Sequence, residues 1–275
     1  MLRIYLLILI FPLLIFSACN TGNDPNIILN GRILNAAQLG SIIVSIIEDN
    51  RTRDSADVNP DGTFQLNFNS STGSVTIEFE TDTFTAQRQN FSVTDNSRIE
   101  LEVTINQNPI SIVFNNWDVF QDPISINNED EVVFVDTEAD FFINGDGNNC
   151  IRTNDSSLVS IEANSIDISN CDEGVRAEGN SAVNLLTNES LRIFSNSNGI
   201  RGRNESIVSI GQTTNPTNNS VEVRSFDADG VNTSETAEVI FTPQNNNCTI
   251  RGANSAVNEG SNSMVDTDGC TLVDG

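Results

Sequence analysis

The chain has 275 residues, 37% of them hydrophobic and 19% charged, with a mean hydropathy of −0.19; this is enough apolar material for one or two cores and too little for a polytopic membrane protein. Against 38 Asp and Glu stand 13 basic residues, all Arg, and no His, so the formal charge is −25. A surface of that sign repels phosphate backbones and argues against nucleic acid as a partner.

The chain opens MLRIYLLILIFPLLIFSACN. Arg3 supplies a short positive region, Ile4 to Phe16 an apolar run, and Ser17-Ala18 small residues before Cys19, the order of an export signal. This resembles the lipobox of bacterial lipoproteins, with Phe16 standing where Leu is usual. The resemblance implies a signal peptide over residues 1–19, cleavage before Cys19 and acylation of that Cys. The mature chain is then anchored in a bacterial cell envelope, at the outer membrane or the cell surface, because several buried acyl chains hold a soluble body on a membrane. A plain secretory signal is the alternative. Residues 20–26 form a polar tether.

Period-2 alternation follows. Phe64, Leu66 and Phe68 share one strand face, as do Val75, Ile77 and Phe79, and then Ile99, Leu101, Val103 and Ile105. Asn59-Pro60-Asp61-Gly62 reads as a tight turn before a strand. With GRILN at 31–35 and GSIIVSI at 40–46, residues 27–106 resemble a carboxypeptidase-regulatory-like (transthyretin-like) β-sandwich. That resemblance implies a spacer or stalk with no catalytic residue. Residues 107–123 read as a linker and cap.

From residue 124 onward the sequence repeats itself. Ile151, Val175, Ile200, Val231 and Val257 occupy one repeat position, at spacings of 24, 25, 31 and 26. Eight residues after each stands Val159, Val183, Val208, Val239 or Val265; four copies continue two further on with Ile161, Leu185, Ile210 and Phe241. A third apolar pair completes each copy: Ile166/Ile168, Leu191/Ile193, Val221/Val223, Cys248/Ile250 and Cys270/Leu272. The long interval holds an insertion at Thr213–Thr217. Three short strands per ~25 residues bury an apolar face only when copies stack. The pattern therefore predicts an all-β chain whose C-terminal part, residues 124–275, is a right-handed parallel β-helix of five to six coils. Ile124/Ile126, Val133/Val135 and Phe141/Ile143 are its expected first inward pairs.

Asn164 and Asn188 stand thirteen residues after the repeat position, as does Asn219 once the insertion is discounted. A stacked Asn at one corner adopts αL geometry and bonds its counterpart. This is similar to the asparagine ladder of the pectate-lyase-like superfamily. The resemblance implies that Ile151-Arg152 lies on the first strand, whose outer face carries the active site there. Arg152, Arg176 and Arg201 then line up outside at ~4.8 Å, with Asn154, Glu178 and Arg203 two positions on. Forked guanidinium donors suit carboxylates, so one reading is a groove for an acidic polysaccharide. The other is an Arg/Glu ladder paired by Glu173, Glu178 and Glu205.

Three functions remain open at this stage: a glycan-binding envelope lipoprotein, a calcium-assisted uronate lyase, and a structural spacer. The lyase reading has one weak catalytic cluster, Arg176 beside Asp172 and Glu178, and arginine is a poor base. No cofactor is implied, apart from a faint calcium signal in Asp227-Ala228-Asp229-Gly230 and Asp266-Thr267-Asp268-Gly269, which ordinary turns also explain. Cys248 and Cys270 head the third pair in consecutive coils and fall within disulfide range; Cys150 and Cys171 flank one coil, while buried free thiols are the alternative. FNNWDVF at 114–120 places Trp117 as the expected cap of the stack. The C-terminal edge is either blunted by acids or meets a second molecule in weak end-to-end self-association.

Overall fold

The computed structural model describes residues 27–83, 87–94, 97–107, 110–117, 122–126, 131–212, 220–243 and 247–275. Cys19, the tether, the Thr213–Thr217 insertion and Asn219 lie outside them, as does the Trp117 side chain. Among the described residues no helix is long and apolar enough to cross a membrane.

Eight strands precede the repeats: β1 (Ile27–Ile33), β2 (Ile42–Glu48), β3 (Arg51–Asp57), β4 (Thr63–Phe68), β5 (Ser74–Thr81), β6 (Gln87–Ser92), β7 (Arg98–Gln107) and β8 (Ile110–Trp117). They form two layers. One sheet runs β3-β2-β5-β6 and the other begins β4-β1-β7-β8. The alternating residues predicted to point inward do so: Phe64, Leu66 and Phe68, Val75, Ile77 and Phe79, and Ile99 to Ile105 are all buried. Phe64 of β4 meets Phe79 of β5 edge-on across the layers, 6.4 Å between centroids. The predicted turn closes where Gly62 N–H donates to Asn59 O at 2.8 Å, with Gly62 at φ 87°. Strand β3, RTRDSAD, escaped the sequence reading because it is a polar edge strand with no apolar alternation. Its signal was the Asp49-Asn50 hairpin turn, both residues at positive φ.

The repeats build a parallel β-helix of about five turns. Its coils are β9 (Ile124–Ile126) with β10 (Glu131–Asn144), β11 (Ile151–Thr153) with β12 (Leu158–Cys171), β13 (Val175–Ala177) with β14 (Ala182–Ser195), then β15 (Ile200–Gly202), β16 (Ile207–Gln212) and β17 (Ser220–Ser225), then β18 (Val231–Thr233), β19 (Glu238–Thr242) and β20 (Cys248–Gly252), and last β21 (Val257–Glu259), β22 (Met264–Asp266) and β23 (Cys270–Asp274). The short first strands make a sheet of their own, β21-β18-β15-β13-β11-β9. The register is the one the spacing predicts: Ile151, Val175, Ile200, Val231 and Val257 pair in file, as do Val159, Val183, Val208, Val239 and Val265.

Two expectations fail. In β10 the inward residues are Val132 and Phe134, paired to Val159 and Ile161, and not Val133 and Val135. VVFV is apolar at both parities, so alternation could not fix the frame, and the core takes the phenylalanine. The αL asparagine corner is also absent from its predicted place. Asn164 and Asn188 sit at a bend inside the 14-residue strands β12 and β14, without positive φ. Asn164 donates sideways to Asp140 at 3.1 Å. An inter-coil asparagine contact forms instead at the next corner, where Asn170, at φ 54°, donates to Asn144 at 3.0 Å.

One sheet unites the two parts. Strand β8 pairs antiparallel with β7 and parallel with β10, so residues predicted as linker are a strand shared by both. A file of rings follows the same path: Phe91 meets Phe114 at 5.7 Å, Phe114 stacks on Phe134 at 4.7 Å, and Phe134 meets Phe141 at 4.9 Å. Phe114 is fully buried and covers the first coil, while the backbone of Trp117 pairs with Leu101. Before β9, Asp122 accepts hydrogen bonds from Ser74 of β5 and Ser92 of β6. At the far end the last coil stacks on one side only. It exposes Met264 and Leu272 and carries Glu259, Asp266, Asp268 and Asp274.

Candidate functional site

Each first strand is three residues long, and from β9 to β18 its outer residues are buried and its middle one points out. Arg152, Arg176 and Arg201 are therefore direct neighbours in successive coils, continued by Asn232 and Asn258. In three coils the corner before the strand is glycine: Gly174, Gly199 and Gly230, whose carbonyls accept from the N–H groups of Ile151, Val175 and Ile200 in the preceding coil. A Cβ on Gly174 would lie 2.2 Å from Ile193 Cγ2, and one on Gly199 2.5 Å from Val223 Cγ1. That tightness holds the residue ahead of the glycine against the file of arginines.

The residue ahead is Glu173, buried with its carboxylate between two guanidiniums. Its Oε1 accepts from Arg201 Nη1 at 2.7 Å and from Asn198 Nδ2 at 3.2 Å; its Oε2 accepts from Arg176 Nη1 at 3.2 Å. Arg176 Nη2 donates to Glu178 at 2.8 Å. Asp229 repeats the device two coils on, accepting from Asn232 at 2.8 Å and Asn258 at 2.9 Å. The like charges in file are thus neutralised from within, as buried charges require.

The other predicted residues are dispersed around this bridge. Asp172 points to solvent, because the corner turns Glu173 and not Asp172 back over the strand, so the catalytic trio read from sequence does not assemble. Glu205 stands exposed in an αL turn and pairs with no arginine among the described residues. Asn154 also serves a turn, its side chain reaching Asp155 at 3.2 Å. Arg152 is exposed and forms no ion pair among the described residues, yet its charge acts on Glu178. Arg203 is half-buried. The Nε groups of Arg176, Arg201 and Arg203 are buried without a hydrogen-bond partner among the described residues.

The ionisation of the pair follows from this geometry. The Glu178 hydrogen bond, opposed by burial and aided by Glu173, holds Arg176 more firmly protonated than a free arginine. Burial pushes Glu178 up, but the Arg176 hydrogen bond and the charges of Arg176, Arg152 and Arg201 bring it below the usual carboxylate range.

Beside the file runs a column of turns, each with consecutive residues at positive φ: Asp155-Ser156, Gly179-Asn180, Asn204-Glu205 and Glu235-Thr236. An open depression of about 580 Å³ follows the last three of them. Two disulfides close the coils, Cys150–Cys171 with Cα atoms 5.6 Å apart and Cys248–Cys270 at 4.4 Å. Among the described residues no three His, Cys, Asp or Glu converge as a metal site; Asp266 accepts from Asp268 N–H in an ordinary turn.

Comparison with protein-family models, curated proteins and solved structures gave no match, so the geometry alone carries the functional reading.

Proposed function

We propose that the protein is a lipid-anchored envelope protein whose β-helix binds glycan, an acidic polysaccharide in the first instance. The observation that carries this is the first-strand face. Arg152 is exposed beside Glu178 and forms no ion pair among the described residues, next to the guanidiniums of Arg176 and Arg201 in file. An exposed guanidinium offers its forked donors to a carboxylate, and the carboxylates of an acidic polysaccharide are suitable acceptors. The anchor is acylated Cys19 in the lipobox-like FSAC. The upstream two-layer part, read as a carboxypeptidase-regulatory-like sandwich, holds the β-helix away from the membrane, and two disulfides suit an oxidising compartment.

The Glu173 bridge favours a second reading, a purely structural spacer, since it satisfies the central charges without a ligand. Lyase chemistry is the weakest of the three. Its base would be Arg176, which Glu178 and Glu173 hold protonated.

A glycan array separates binder from spacer: binding to uronate polymers that Arg152→Gln weakens supports the proposal, and an array blank for the wild type defeats it. Cys19→Ala tests the anchor. The variant is expected in the soluble fraction or uncleaved, and unchanged membrane fractionation overturns the lipobox.

A further inference from the structure

The third strands carry a second set of arginines, two of which no acid neutralises among the described residues. In this file Arg224 of β17 and Arg251 of β20 are direct register neighbours, both exposed, and neither forms an ion pair among the described residues. Like charges directly opposite on adjacent strands repel. On the first-strand face the same juxtaposition is relieved by Glu173; here it is left open in a chain whose net charge is −25.

Two phenylalanines stand among these arginines. Arg224 lies over the Phe226 ring at 4.6 Å and Arg192 over the Phe194 ring at 5.3 Å, while the two rings meet edge-on at 6.5 Å. Phe226 is 47% exposed although it is a large apolar side chain. A guanidinium held by its face on a ring keeps its edge donors free for a planar bidentate acceptor. Of the acids nearby, Asp167 lies 3.8 Å from Arg192 and Glu222 neighbours Arg192 in register, while Asp227 follows Phe226 and Asp274 follows Val273, the register neighbour of Arg251; none forms an ion pair with Arg224 or Arg251 among the described residues.

We infer that Arg192, Arg224 and Arg251 with Phe194 and Phe226 form a carboxylate-binding platform for an anionic polysaccharide, distinct from the Arg152 face. The rows run along the stack from coil to coil at ~4.8 Å, so a linear polymer bearing regular carboxylates meets the arginines in succession and lays its apolar ring faces on the phenylalanines. A peptide is disfavoured, since it would seek main-chain bonds and the strands of this face are already paired on both sides in β14, β17 and β20. The net charge of the whole chain opposes any polyanion; what favours a polyuronate over nucleic acid is its planar carboxylates, which fit the guanidinium fork, and its apolar ring faces.

Affinity electrophoresis of the full chain in polygalacturonate, with pullulan as neutral control and poly(dT) as nucleic acid, tests the platform at low salt. Polygalacturonate is expected to retard the wild type and pullulan to leave it unchanged. Arg224→Gln/Arg251→Gln is expected to weaken binding at least tenfold, Phe226→Ala less so, and Arg152→Gln less than the double variant, since it touches only the first-strand face. All these side chains are exposed, and an unchanged circular dichroism spectrum certifies folding. The platform is overturned if the double variant binds as well as the wild type, if polygalacturonate has no effect, if pullulan retards equally, or if poly(dT) binds more tightly. Loss of binding in Arg152→Gln alone also overturns it, while upholding the first-strand face.

Discussion

Phe114 and Phe134 lie face to face, their ring centroids 4.7 Å apart and their planes 14° from parallel. One ring belongs to the strand shared with the upstream sheets and the other to the first coil of the β-helix. Both are fully buried, so the contact joins two cores into one.

Phe134→Ala is accordingly expected to destabilise the whole chain. Removing a buried phenylalanine costs roughly 3–5 kcal/mol. The loss should appear as a lower midpoint in a single chemical denaturation transition. Hydrogen exchange should speed up on both sides of the joint, at residues 99–105 and 159–168. Faster exchange confined to the β-helix would mean that the two parts unfold independently.

Glu173→Gln leaves two guanidiniums facing each other without a negative charge between them. A fully buried pair costs about 3–5 kcal/mol to break; here the arginine side chains are 25% and 21% exposed, and roughly 2 kcal/mol is expected after solvent screening. Glu205→Gln, in an exposed turn, should stay within about 0.5 kcal/mol. Denaturation midpoints of the two variants decide it, and equal midpoints would show that the bridge contributes nothing.

Acid should find the fold through Glu48. Burial opposes the ionisation of this group, but the Ser70 hydroxyl, the Thr72 N–H and hydroxyl and the Ser71 N–H all donate to it, and Arg53 pairs with it. The folded-state pKa therefore lies below the ordinary glutamate value of about 4.3. A depressed carboxylate adds stability that is fully present above the unfolded value and is lost as pH falls through the folded one. Stability should hold steady from neutral pH to about 5 and decline below about 4, by up to roughly 1.4 kcal/mol per pH unit for each proton taken up. Glu178 acts in the same direction. Glu48→Gln should lower stability at pH 7 and flatten the acid limb; a limb as steep as in the wild type would remove Glu48 from the account.

The β-helix was legible because its inward positions recur in register, and stacking demands that recurrence. Val159, Val183, Val208 and Val239 could be aligned by counting alone. Counting says where a residue falls in a coil and not what its backbone does there, which is why Asn164 and Asn188 were wrongly given αL geometry. It also fails where both parities are apolar, as at Val132 to Val135. The arginine file on the first strands was visible for the same reason as the core. Its neutralisation was legible in part: Glu173 and Glu178 pair with the arginines as expected, Glu205 does not, and counting could not show that Glu173 reaches Arg201 across 28 positions of sequence through the corner at Gly174. The acids two residues before the repeat position, Glu173 and Asp229, were the available signal. The third-strand arginines were hidden because Phe194 and Phe226 do not share a repeat position, and it is the corner after β17 that brings them together.

The two disulfides close rings of the chain, at sequence separations of 21 and 22 residues, each close to one revolution of the β-helix. In the second ring the exposed turn at Asn262 is a natural place for a protease to cut. A nick there severs the backbone yet releases nothing: the cut ends stay fastened through Cys248 and Cys270, and β23 remains laid along β20. The last coil, which exposes Met264 and Leu272, is secured against peeling by a bond that does not depend on an unbroken chain.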